Sequence, residues 1–115
     1  MGKIRILHIL QSNQFSGAEN LVCQIIDMYK DNDQVEMAYC SPDGQIREIL
    51  QKKDINYFPM TKLSVRNVKK VVNQYQPHII HAHDAGASVI STLAKKNSRI
   101  VSHIHGNHLN MRGIS

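Results

Sequence analysis

Between Ile4 and His105 the sequence repeatedly exchanges one hydrophobic period for another: short β-branched runs alternate with stretches whose apolar residues recur every three or four positions. A chain that leaves a strand into a helix and returns to a strand lays the second strand parallel to the first, so the pattern predicts an α/β fold. The expected architecture is a Rossmann-like parallel sheet with helices on both faces. Its first run, Ile4, Ile6, Leu7, Ile9 and Leu10, is interrupted by Arg5 and His8 and otherwise reads as a largely buried strand.

The remaining elements follow in order. Leu21, Val22, Ile25, Ile26 and Tyr29 have helical spacing, and the polar KDND (Lys30 to Asp33) closes that helix. VEMAYC (Val35 to Cys40) alternates as a second strand, and SPDG (Ser41 to Gly44) reads as a turn. A short helix is predicted over Gln45 to Lys53, and INYFPM (Ile55 to Met60), closed by Pro59, is a third strand. Val65, Val68, Val71, Val72 and Tyr75 make the apolar stripe of a helix that begins at Ser64 and stops at Pro77, with Arg66, Lys69 and Lys70 facing away. HIIHAH (His78 to His83) is the fourth strand, Ala85 to Lys96 a helix, and RIVSHIH (Arg99 to His105) the fifth strand. GNHLNMRGIS (Gly106 to Ser115) then leaves the sheet as a polar loop with no closing helix, which reads as a domain cut short.

The 115 residues suffice for one domain with a real core and not for two. A formal charge of +5 suits an anionic ligand or an acidic membrane surface without choosing between them. Nucleic acid is disfavoured, because no aromatic residues interleave with Lys53, Lys62, Arg66, Lys69 and Lys70 as a base-stacking surface requires. Cys23 and Cys40 have no CxxC spacing and read as buried thiols of a cytosolic protein. No apolar stretch approaches the roughly 20 residues that span a bilayer, and Arg5 and His8 break the N-terminal apolar run, which has no cleavage site, so any membrane contact is peripheral.

Chemistry concentrates at the strand ends. In QFSGAEN (Gln14 to Asn20), Ser16 and Glu19 have capping-box spacing, and Gly17 at the first helical position lets a ligand approach amides that the helix dipole makes attractive to an anion. The loop has neither GxGxxG nor GxxxxGK[ST], which argues against a dinucleotide or P-loop site. Six of the seven histidines lie between His78 and His108. His81 and His83 share one face of their strand, as do His103 and His105, so four imidazoles can approach one another. A zinc site is one reading of them. The reading adopted is that one member of each pair borders a ligand cleft while the other is packed or hydrogen-bonded, so no residue is assigned to a metal and no cofactor is expected. Asp84 either orients a histidine or, the preferred role, caps the next helix.

These stretches, KIRILHIL…FSGAENLV, QPHIIHAHDAGAS and RIVSHIHGN, resemble in order and spacing the N-terminal domain of the family-four (group one) glycosyltransferases, enzymes of the GT-B fold. The resemblance implies about five β/α units of that domain over residues 1–115, on the acceptor side, with the C-terminal donor domain and its acidic E-x7-E motif absent. It implies a retaining transfer of a sugar from a nucleotide diphosphate donor to a glycan or lipid-linked acceptor, in making cell-surface polysaccharide, by a cytoplasmic protein at the inner face of the membrane. This fragment alone is then expected to be inactive and to self-associate through its open edge or cleft. The family's GGAE loop reads Ser16, Gly17, Ala18, Glu19 here and is expected, with His83, Asp84 and Gly106, to border the donor diphosphate or the acceptor. His105, before Gly106, matches the family's histidine near the transferred sugar and is the expected catalytic residue. The alternatives are a non-catalytic α/β binding module that docks a partner and, behind it, a histidine-based metal-binding module.

Overall fold

A computed structural model describes residues 2–103. Nine elements alternate: β1 (Ile4–Ile9), α1 (Gly17–Met28), β2 (Val35–Pro42), α2 (Ile46–Lys52), β3 (Tyr57–Met60), α3 (Val65–Tyr75), β4 (Ile79–Ala82), α4 (Ala85–Ala94) and β5 (Arg99–Ser102). All the strand pairings are parallel, in the order β3-β2-β1-β4-β5. The expected α/β parallel sheet is therefore the observed one.

The order follows from the handedness of the crossovers: β1 to β3 build outward in one direction, and the chain then returns across β1 to build β4 and β5 in the other. Between β1 and β4 the direction of winding reverses. The carboxyl ends of these two strands thus flank the crevice where open parallel sheets bind ligands.

Each strand face has its own helices. Leu7, Ile9, Ala38, Cys40, Ile80 and Ala82 pack with Val68, Val71, Val72 and Tyr75 of α3 and Ala87 and Ala94 of α4. On the other side Leu10 and Tyr39 pack with Val22, Cys23 and Ile26 of α1 and Ile46 and Leu50 of α2. The alternation of side chains along β1 makes this division.

The elements end where local chemistry dictates. Ser64 caps α3, its hydroxyl accepting from the Asn67 amide at 3.1 Å, and Gln76 ends that helix in the left-handed conformation. Helix α4 stops at Ala94, two residues short of expectation, with Lys95 as its cap and Lys96 left-handed. Strand β2 runs two residues longer than read, because Ser41 and Pro42 pair with Pro59 and Met60 of β3 where a turn is expected. Pro59 is tolerated because β3 is an edge strand. The fifth strand is assigned only to Ser102, although the His103 amide continues the ladder to the Ala82 carbonyl at 2.7 Å. His105 and Gly106 lie outside the described residues.

Candidate functional site

The crevice at the winding reversal is built from two tight connections. After β1, the Leu10 amide still bonds to the Cys40 carbonyl, and the chain then crosses toward β4, where the Gln11 amide donates to Asp84 Oδ2 at 2.8 Å. Asp84 uses its other oxygen to cap α4, accepting from the Ala87 amide at 2.8 Å. The carboxylate expected at a ligand thus clamps two loops together, and the capping role preferred from sequence is the observed one. Gly86 sits under the same loop. A Cβ there would fall 1.9 Å from Gln11 Oε1, so a side chain at this position would displace Gln11.

The first turn of α1 follows the loop that leaves the carboxyl end of β1. Ser16 and Gly17 are exposed, and Glu19 folds back so that its Oε1 accepts from the Ser16 amide at 3.0 Å and the Ser16 hydroxyl at 2.7 Å. Burial disfavours the charged Glu19 carboxylate, but hydrogen bonds from the Ser16 hydroxyl and from the Glu19 and Ser16 amides outweigh it and hold its pKa below the ordinary range. A Cβ at Gly17 would meet nothing within 4 Å. The fold itself therefore does not require glycine here.

Four imidazoles meet at the carboxyl ends of the central strands. His8 is the register partner of His81 on the neighbouring strand, and His83 follows two residues on, on the same face. His8 Nδ1 lies 2.9 Å from His83 Nε2, and His8 Nε2 lies 3.3 Å from Met37 Sδ. One tautomer satisfies both contacts: His83 Nε2–H donates to His8 Nδ1, and His8 Nε2–H donates to the sulfur. The His81 and His83 rings stack with centroids 3.9 Å apart, and the His103 ring lies 5.9 Å from His81 and 6.1 Å from His83.

His8 and His83 are both 1% exposed, His81 is half-buried, and His103 is exposed. Burial, with the neighbouring His81 adding to it, pushes the His8 pKa down to about 3, so this imidazole is neutral at physiological pH. Sequence reasoning placed His81, His83 and His103 together correctly and missed His8. The signal was present: a histidine near the carboxyl end of the first strand aligns with one near the end of the fourth as soon as those strands are neighbours. His83 is buried against His8 and stacked on His81, with the exposed His103 ring 6.1 Å away.

Cys23 and Cys40 are buried free thiols, as expected, and burial raises their pKa values to about 11 and about 12. They are unreactive and take no part in the crevice. A cavity of about 370 Å³ opens at the opposite, amino end of the sheet beside Arg5, His78 and Lys96. There Arg5 Nε donates to the Tyr75 and Gln76 carbonyls, and His78 Nδ1 accepts from the Arg5 amide at 2.9 Å. Those bonds close the sheet bottom, away from the strand ends where parallel sheets bind ligands.

Comparison with known proteins agrees with this geometry. A family model described as glycosyl transferase 4-like matches residues 5–112. A glycosyltransferase from Rickettsia africae ESF-5 superposes with a TM-score of 0.74 at 20% identity, over 94% of this chain and 31% of that one. A Listeria monocytogenes protein named as a UDP-N-acetylglucosamine 2-epimerase superposes with a TM-score of 0.64 at 15% identity, over 89% of this chain and 31% of that one. At such identities the likeness is one of fold. The chain spans about a third of the length of these solved structures. No curated protein matches it.

Proposed function

This chain belongs to the glycosyl transferase 4-like family, and on that premise we propose that it is the acceptor-side domain of a retaining glycosyltransferase that uses a nucleotide diphosphate sugar. The observation that carries the reading is the pairing of the exposed Ser16–Gly17 helix start with the Asp84-clamped turn at the winding reversal. An anion at that helix start would meet first-turn amides and the positive end of the helix dipole. Asp84 holds the two loops that border the crevice, and His83, behind the surface, holds its neighbours. They are positioning residues in this reading.

His105, with Gly106 allowing close approach, is the proposed catalytic residue. A neutral imidazole there hydrogen-bonds a sugar hydroxyl and stabilises the charge that develops as the bond from the anomeric carbon to the diphosphate breaks. A donor-binding domain would grip the nucleotide, and residues 1–115 by themselves are proposed to be inactive. The acceptor is a glycan or lipid-linked saccharide of the cell surface. Exposed Arg66, Lys69 and Lys70 on α3 suit peripheral contact with an anionic inner membrane face from the cytoplasm. Among the described residues no helix is long and apolar enough to cross a membrane. The isolated chain is proposed to self-associate through the β5 edge, where Val101 is exposed, together with α4, where Val89 and Leu93 are exposed.

The test is a pair of variants in the complete protein encoded by its gene. His105→Ala should lower kcat by about two to three orders of magnitude with an unchanged melting temperature. His78→Ala should keep its turnover. Equal activities, or a His105→Ala loss that tracks lost stability, would remove His105 from the active site, and a complete protein with no transferase activity would favour the non-catalytic binding module.

A further inference from the structure

We propose that His8, His81 and His83 form a binding site for a divalent transition-metal cation, with zinc the ion that their chemistry fits best. The site does not depend on the transferase reading, which routes no step through a metal. It rests on a juxtaposition: each residue offers a ring nitrogen, and these three atoms lie within 4.8 Å of one another. Strand register produces it. His8 and His81 are partners on adjacent parallel strands, and His83 projects from the same face one pleat further on, so three imidazoles from two rigid strands converge at the sheet end.

The donor set suits zinc. Zn–N bonds of about 2.0–2.1 Å in tetrahedral geometry place ligand nitrogens about 3.3 Å apart. The His8 Nδ1 to His83 Nε2 separation of 2.9 Å must open by a few tenths of an ångström, and the third nitrogen must swing inward. The first change replaces a hydrogen bond: the His83 proton moves to Nδ1, and both facing nitrogens turn their lone pairs to the ion. The second falls on His81, which is half-buried. Met37 Sδ, 3.3 Å from His8 Nε2, is the outer partner that takes the His8 N–H and holds the ring with Nδ1 toward the other two.

Neither cysteine joins the site, and both Asp84 oxygens accept backbone amides. Three neutral ligands leave the ion its full positive charge, so the fourth position suits water, hydroxide or an oxyanion arriving from the open side near His103.

Zinc titration of the 115-residue chain at neutral pH, followed by calorimetry, with cobalt(II) as a spectroscopic substitute, decides the matter. One zinc per chain is expected, with the visible absorption of four-coordinate cobalt. His81→Ala, at the half-buried ligand, should weaken binding by more than the about 10–100-fold that loss of a supporting residue costs, whereas His78→Ala should leave it unchanged. Folding of each variant is checked by circular dichroism. Wild-type chain that binds no zinc, or zinc bound equally by His81→Ala, would overturn the site. Should His81→Ala fail to fold, a wild-type cobalt spectrum of six-coordinate character would overturn it alone. Any of these results leaves the transferase test untouched.

Discussion

Leu7 and Ile9 turn from β1 toward α3 and α4, while His8 between them turns the other way, so a single strand contributes to two unlike faces. The α3–α4 face is apolar from β2 to β4 and buries Leu7, Ile9, Cys40, Ile80 and Ala82. On the α1–α2 face the apolar core covers Leu10 and Tyr39, and beside it His8 and His83 are buried with polar atoms that must find partners. Apolar burial stabilises by about 25 cal/mol per Å² and asks nothing of geometry, whereas a buried imidazole is tolerated only if it is neutral and hydrogen-bonded. One face is apolar throughout, and the other adds to its apolar core buried imidazoles held near the strand ends. The difference teaches where substitution should be costly and where it should be conditional on pH.

The largest effect is expected on the apolar face. Leu7→Ala removes a fully buried side chain from the cluster that joins the sheet to α3 and α4, and denaturant unfolding should show a loss of about 2–5 kcal/mol. A loss below about 1 kcal/mol would mean that this face is loosely packed, and the comparison would fail.

The polar face should respond to acid. His8 titrates near 6.5 when unfolded and near 3 when folded, so between those values the unfolded chain binds more protons. Its contribution is fully present above pH 6.5 and is lost as pH falls toward 3, at about 1.4 kcal/mol per unit. In His8→Leu that slope should flatten, while Leu7→Ala should keep it. Equal slopes in His8→Leu and the wild type would show that His8 is not the buried base.

Asp84→Ala should cost about 1–2 kcal/mol, because it removes the α4 cap and frees the Gln11 amide together. Hydrogen exchange should quicken at Gln11 and Ala87 and not in α3. The smallest effect is expected outside both faces. Arg47 bonds both oxygens of Asp43 at 2.8 Å on an exposed helix start, and Arg47→Ala should leave the denaturation midpoint unchanged within experimental error.

Much of this was legible in the sequence because it is local. The 3.6 and 2.0 periods announced strands and helices, Asp84 announced its cap, and the alternation of elements announced a parallel sheet. Boundaries were less legible. Ser41 and Pro42 read as a turn because proline and serine favour one, and they are strand because β3 lies alongside. Side-chain contacts divided in the same way. The Ser16–Glu19 capping box and the Asp84 cap each close within three residues and were legible, whereas the contact of His83 with His8 spans 75 residues and was not.

By itself, then, the sequence determined the elements, their order and the parallel sheet, because hydrophobic period and capping act over one or two turns of chain. Only the tertiary structure decided that His8 joins His81 and His83. That meeting depends on β4 returning to the free side of β1 and on a register that sets residue 8 against residue 81, and strand pairing at such separation leaves no trace in local pattern.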